Sequence, residues 1–215
     1  MCKSASDAFH YAPICAGCWE TIKRYTGPSC RICAAPLVSE YSGLCGECLH
    51  RPPPFSVVLN YGLYSGALSE AIHLLKFSGL KRIARPLGTL LQELPLPLAD
   101  GIVPVPVTVK TLRERGFNQT VLLSRILSKE YKIPVKMNML SKKRETRPQI
   151  GLSAKERAGN LKNAFEVRES AKDLRLILLD DVMTTGATVR ECSKVLKKAG
   201  AKEVVVVTLA RSSLT

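Results

Sequence analysis

The sequence predicts an α/β fold with a mostly parallel sheet, preceded by a small cysteine-rich module. Three observations carry this. Two apolar runs, "RLILLDD" at 175–181 and "KEVVVVTLA" at 202–210, show no polar alternation, the pattern of strands covered on both faces. Between them, "ATVRECSKVLKKAG" places Val189, Cys192, Val195, Leu196 and Ala199 on one helical face over 187–199, which makes a strand–helix–strand unit. Upstream, seven of the eight cysteines precede Pro52, six of them in the pairs CAGC (15–18), CRIC (30–33) and CGEC (45–48).

In a reducing compartment that spacing points to metal rather than disulfides. Each CxxC pair seats two thiolates on a tetrahedral zinc from one tight turn, and the pairs recur every fifteen residues. Spacing alone leaves the partnership open: either adjacent pairing, or a cross-braced one, closes a tetrahedron. Cys192 sits on an apolar helical face and reads as core. "HRPPPF" at 50–55 favours an extended, semi-rigid connection, so residues 1–52 form the cysteine module and 55–215 the α/β domain.

In order, "SVVLNYGLY" (56–64) predicts a strand. "GALSEAIHLLKF" (66–77) predicts a helix with Leu68, Ile72 and Leu75 inward, and "RIARPLGTLLQEL" (82–94) a second helix. "DGIVPVPV" (100–107) is a short buried strand ending in prolines. "NQTVLLSRILSKEY" (118–131) is a helix capped by Asn118, with Val121, Leu122, Ile126 and Leu127 inward. "PVKMNML" (134–140) reads as a strand, and "SKKRETRPQIGL" (141–152) as a long basic loop of the kind that carries function.

Length and composition fit a folded chain: 215 residues, 46% hydrophobic and 23% charged, leave no tract suited to disorder. No apolar run approaches a membrane span, and "MCKSASDAFHY" lacks a signal-peptide core, so the expected location is the cytoplasm without membrane insertion. Of the net charge of +14, residues 1–54 hold +1 and residues 110–162 hold +10, so the partner of that stretch is anionic. A zinc held by four thiolates has a net charge of minus two and leaves this asymmetry intact.

The chain has neither GxxxxGK[ST] nor GxGxxG, which argues against P-loop and dinucleotide sites. Its histidines, His10, His50 and His73, give no support for a hydrolytic triad. The chemistry concentrates instead in "LILLDDVMTTGATV" (176–189). Ligands of such sheets bind at the carboxyl ends of the strands, where Asp180 and Asp181 fall. The following residues, Met183, Thr184, Thr185, Gly186, Ala187 and Thr188, supply hydroxyls, a close backbone approach and a helix N-terminus, together a phosphate cradle. Carboxylates only accept hydrogen bonds, so the pair can hold a vicinal diol or assist a metal-bound polyanion. Phosphate on one side and diol on the other describe a ribose 5-phosphate.

"LILLDDVMTTGAT" resembles the PRPP-binding fingerprint of type I phosphoribosyltransferases. With the CxxC pairs, "GLCGECLHRPPPF", "IHLLKFSG", "VPVPVTVKTLRERGFNQT" and "RPQIGLSAKERAGNLKNAF", nearly the whole chain resembles the ComF family of competence-associated proteins. The resemblance implies a zinc ribbon joined to a type I phosphoribosyltransferase fold, acting in DNA uptake during natural transformation. It implies ribose contacts from Asp180 and Asp181, 5-phosphate contacts from residues 183–188, and a pyrophosphate loop at 107–115 with Lys110, Arg113 and Arg115 as its cations. It further implies a mobile flap at 142–151 and Mg²⁺ entering with PRPP.

For the metal, the family pattern implies two ribbons, one from Cys30, Cys33, Cys45 and Cys48, the other from Cys15 and Cys18 with an earlier pair. Only Cys2 represents that earlier pair here, so its partner is expected upstream of Met1, or the first site is degenerate unless His10 substitutes. Two functions compete: a PRPP-using transferase, and a non-catalytic nucleotide-gated adaptor or single-stranded DNA-binding partner of an uptake helicase. Aromatic residues make up 6% of the chain and are sparse in the basic stretch, which gives little stacking surface for single strands.

Overall fold

The computed structural model describes residues 14–143 and 161–213. Its elements are α1 (Ala16–Glu20), α2 (Gly46–His50), β1 (Val57–Leu63), α3 (Gly66–Phe77), α4 (Ala84–Gln92), β2 (Gly101–Pro104), α5 (Val109–Arg115) and α6 (Gln119–Tyr131). They continue with β3 (Leu140–Lys142), β4 (Phe165–Val167), β5 (Arg175–Met183), α7 (Ala187–Lys198) and β6 (Glu203–Arg211). Four strands form a parallel sheet in the order β1-β6-β5-β2, and β3 and β4 pair antiparallel beside it.

The central strands β5 and β6 are buried almost end to end, which is what their unbroken apolar runs require. Successive side chains of a strand leave on opposite faces. Ile177 and Leu179 therefore enter a core with Leu68, Ile72 and Leu75 of α3, Leu87 and Leu91 of α4, and Leu123 and Leu127 of α6. Leu176 and Leu178 enter a second core with Val189, Cys192 and Leu196 of α7 and Phe165 of β4. Cys30, Cys33 and Cys48 belong to that second core, while Ile14 and Ile22 of the same module join the first, so the cysteine module touches both.

Two local expectations are corrected. In α6 the buried positions are Gln119, Thr120, Leu123, Ser124 and Leu127, while Val121, Leu122 and Ile126 are only partly covered. The inward face is rotated because Thr120 is drawn in: its hydroxyl donates to the Val105 carbonyl at 2.8 Å, a polar reward that apolar periodicity does not register. Residues 134–140 do not form a strand. Val135 makes one isolated parallel bridge to Ile102, a turn follows, and extended pairing begins only at Leu140. The basic loop at 141–152 lies outside the described residues beyond Lys143.

The turn after β2 is tied down from α6. Asn118 caps that helix through the Thr120 amide at 3.0 Å and donates from Nδ2 to the Val105 carbonyl at 3.1 Å. Loss of an N-cap costs about 0.5–2 kcal/mol, and because the Val105 carbonyl accepts from both side chains, either single substitution leaves it one donor and removes one hydrogen bond of about 0.5–1.5 kcal/mol. Urea unfolding should show Asn118→Ala and Thr120→Val each losing stability in those ranges; wild-type midpoints in both would mean the turn is held by packing alone.

Candidate functional site

The cysteine cluster is built from two tight turns. Cys30 donates its amide to the Ala35 carbonyl at 2.8 Å, and Ala34, at a positive φ of 53°, returns an amide to the Cys30 carbonyl at 2.9 Å. Cys45 opens α2, which carries Cys48. The sulfur atoms of Cys30, Cys33, Cys45 and Cys48 lie within 4.8 Å of one another, and the Cys33 and Cys45 sulfurs are 3.5 Å apart. Thiolates on a tetrahedral zinc at about 2.3 Å are separated by about 3.8 Å, so the donor set and its spacing fit that ion.

The thiols are unequal. Burial works to raise the Cys30 thiol, but backbone amide hydrogen bonds around it bring it down to about 7. Burial and the neighbouring Cys33 push Cys48 up. Cys15 and Cys18 form a similar turn, the Cys18 amide donating to the Cys15 sulfur at 3.4 Å, but they are not in the four-sulfur cluster. Cys2 and His10 lie outside the described residues.

The second constellation stands at the carboxyl end of the sheet. A cavity of 690 Å³ opens there between Tyr64 after β1, Val105 to Thr108 after β2, and Asp180 and Asp181 near the end of β5. Each carboxylate accepts the next residue's amide: Asp181 donates to Asp180 Oδ1 at 2.9 Å, and Val182 to Asp181 Oδ1 at 2.8 Å. The other Asp181 oxygen meets the Lys76 ammonium at 3.0 Å. Burial, and then the charge of Asp181, pushes the Asp180 carboxyl up to about 7, against the opposing pull of Lys76. Burial would lower the Lys76 ammonium, but Asp181 and Asp180 outweigh it and hold it above its ordinary value.

A niche of 30 Å³ adjoins this cavity, lined by Asp180, Thr184, Gly186, Ala187 and Thr188. Gly186 caps α7 at φ 81°, in the left-handed region, and a Cβ there would stand 2.5 Å from Met183 Cε. The left-handed φ is what demands glycine here, since the Met183 methyl is the far end of a flexible side chain and could give way. Thr185 takes the Ala187 amide on its hydroxyl at 3.4 Å, and Met183 is buried beneath the loop. The first-turn amides of a helix lack intrahelical acceptors and favour an anion, so the niche is suited to one.

The three cations of residues 107–115 do not share one position. Lys110 and Arg113 are exposed on α5, with Lys110 4.0 Å from Glu114. Arg115 turns inward: it donates to Gln119 Oε1 at 2.6 Å, stacks 5.3 Å from the Phe77 ring centre, and with Lys76 lines a cavity of 420 Å³. Sequence reasoning missed Lys76, although it stands four residues after Ile72 on the helix's own inward stripe. It also missed Arg211, a fully buried arginine hidden because it follows the apolar run of β6. Lys142 lines the main cavity at the end of β3, from which the following basic segment departs. Among the described residues no helix is long and apolar enough to cross a membrane.

Residues 105–213 match the phosphoribosyl transferase domain family, and residues 1–49 the double zinc ribbon domain family. The chain is 38% identical over 210 residues to competence protein F of Haemophilus influenzae, spanning 93% of this chain and 90% of that protein. It is 34% identical over 220 residues to the DNA utilization protein YhgH of Escherichia coli K12, spanning 99% and 96%. The purine phosphoribosyltransferase from Pyrococcus horikoshii is a looser match, with 23% identity and a TM-score of 0.37 over 73% of this chain and 82% of that one, too distant to lend residue roles. The order of the two domain families and the near-full-length relatives agree with the geometry, and the chain belongs to the ComF family, a zinc ribbon joined to a type I phosphoribosyltransferase domain.

Proposed function

We propose that the cleft binds a ribose 5-phosphate unit, as PRPP or a ribonucleoside 5′-monophosphate, and that the protein acts through that ligand in cytoplasmic DNA uptake. The observation that carries this is the sharing of Asp180, Thr184 and Thr188 between the small niche and the large cavity. An anion cradle and a carboxylate pair thus open into one space, as a ligand with phosphate at one end and a diol at the other requires. The DNA context comes from the names of the relatives, competence protein F and DNA utilization protein. Single-stranded DNA and an uptake helicase are the macromolecular partners that context calls for.

In the transferase form, the bond from ribose C1 to the pyrophosphate oxygen breaks while a nitrogen nucleophile bonds to C1. Positioning and charge stabilisation drive such a step more than proton transfer. Lys76 and Lys142 line the cleft itself and Arg115 lines the neighbouring cavity with Lys76, so these cations are better placed for the leaving pyrophosphate than the exposed Lys110 and Arg113. Carboxylates are hard donors, so Asp180 and Asp181 suit Mg²⁺ carried in on the ligand's phosphates. The adaptor form is favoured by the Lys76–Asp181 ion pair, which a ligand must exchange, so that occupancy is signalled to α3. A pyrophosphate-release screen across nucleobases and amines separates the two: turnover supports the enzyme, and binding without release supports the adaptor.

Three outcomes follow from this reading. Removing a charged hydrogen bond costs roughly 1.5–3 kcal/mol, so Asp181→Ala and Thr188→Ala should weaken PRPP by about tenfold to a hundredfold in calorimetry, whereas Thr185 lines neither cavity and would act only through the loop. Equal affinity in both variants and wild type would move the ligand elsewhere.

Second, an Asp180 carboxyl raised to about 7 in the fold, above its unfolded value, makes wild-type stability fall as pH rises through that interval. Asp180→Asn should therefore melt near wild type at about pH 3.5, already somewhat above it at about pH 5, and several degrees higher at about pH 8.5. The same raised value means that PRPP binding tightens as Asp180 ionises near neutrality. The ligand's own phosphate titrates near pH 6, so the part of the pH dependence that Asp180→Asn removes is the part due to this carboxyl.

Third, metal analysis should return one tightly held zinc per chain, lost in Cys45→Ser and kept in Cys15→Ser, because metal binding and folding of such modules are coupled. Two zincs per chain, or equal loss in both variants, would overturn the assignment.

A further inference from the structure

Arg211 has a side chain with 1% exposure, and among the described residues no carboxylate pairs with it. Its guanidinium donates only to carbonyls. Nε reaches Cys33 of the cysteine cluster at 3.2 Å, and Nη1 reaches Met183 at 2.9 Å and also Thr184, both in the loop that forms the niche. One buried cation therefore ties a metal-ligand residue to the backbone of the phosphate cradle. A second tie runs through α7, the helix that the cradle opens. Arg190 donates from Nη1 to the Arg51 carbonyl at 2.9 Å and from Nη2 to the Cys48 sulfur at 3.9 Å, with Glu47 at 3.8 Å.

The charges around the cluster point the same way. Arg51 pairs with the same Glu47 oxygen at 3.4 Å, so Glu47, Arg51 and Arg190 form a small ion cluster against the Cys48 turn. A zinc tetrathiolate has two negative charges, and a buried cation needs such compensation. Loss of the metal frees the Cys33 and Cys48 turns, and with them the carbonyl that holds Arg211 and the sulfur that holds Arg190.

We infer that the zinc cluster and the 183–188 loop form one hydrogen-bonded unit, in which Arg211 and Arg190 make the affinity of the cradle for a nucleotide phosphate conditional on the metal. Both are positioning residues, since neither lines the ligand cavities. The inference rests on the cleft reading above. Coupling between two sites is reciprocal, so a phosphate ligand must strengthen metal retention by the factor with which metal strengthens phosphate binding.

The test uses the full zinc-loaded chain with AMP as probe, and measures zinc affinity by equilibrium competition with the chromogenic chelator 4-(2-pyridylazo)resorcinol. Saturating AMP should raise zinc affinity by about fivefold or more, the usual scale of intersite coupling. In Arg211→Lys and Arg190→Gln the rise should vanish while zinc content stays at the wild-type level, an outcome that loss of a merely structural contact would not give. Should Arg211→Lys fail to fold, the less buried Arg190→Gln decides. AMP that binds wild type without changing zinc affinity, or a rise that persists in the variants, overturns the coupling alone. A wild-type protein that does not bind AMP overturns the cleft reading, and the coupling with it.

Discussion

Two adjacent carboxylates held inside a protein at the end of a doubly covered strand are the constraint around which this fold is arranged. β5 is sealed on both faces, so Asp180 and Asp181 have little water to spread their charge. The compensation comes from α3, whose length brings Lys76 to Asp181, and from the strand itself, which turns two of its own amides onto the carboxylate oxygens. Even so, Asp180 remains a carboxyl tuned to neutrality, far from the ordinary acidic range. The cost of burying the pair is tolerated at the edge where a ligand enters, the place where an open sheet of parallel strands leaves a crevice.

The opposite sign of charge is treated in the mirror-image way on the far side of the loop. Arg211 closes β6 beneath Met183 and Thr184 and is solvated by carbonyls instead of a carboxylate. Asp180 lines the niche while Arg211 holds the carbonyls of Met183 and Thr184, so the start of the loop is bounded by polar groups on two sides. Gly186 permits the sharp turn through it, and Met183 fills the space that a side chain at Gly186 would need. The loop is thus fixed from beneath, and its conformation does not have to be created by whatever binds above.

Much of this was legible in the sequence because it rests on short-range pattern. The unbroken apolar runs of β5 and β6, the glycine and threonines between them, the Asn118 cap and the CxxC pairs each state their own geometry within a few residues. What escaped depends on contacts between distant segments. Lys76 looked like the end of an amphipathic helix until α3 met β5, and Arg211 looked like the polar end of a strand until the cysteine turn closed over it. Thr120 rotated α6 by bonding to Val105, fifteen residues earlier in the chain. The cations of α5 form a cluster in sequence, but a helix distributes them around its circumference, so only Arg115 faces α3. In each case the deciding partner lies on another element, and periodicity within one segment contains no information about it.

The strand order has a consequence for how the molecule is made. Among the described strands β6 comes last and lies between β1 and β5, so β1 is separated from the strand it pairs with by most of the domain. During synthesis β1 must wait with one edge unpaired until β6 leaves the ribosome, since non-local parallel pairing is slow and requires closure of a long loop. The cysteine turns need no such wait, because all four sulfurs come from a short N-terminal stretch that a metal can gather as soon as it emerges. Ile32 already offers its carbonyl to the Val58 amide, and Cys33 offers its own to Arg211. The N-terminal module is therefore in place as a template for one edge of the nascent sheet, and newborn chains starved of metal would face the ribosome's crowded exit with that edge exposed to aggregation.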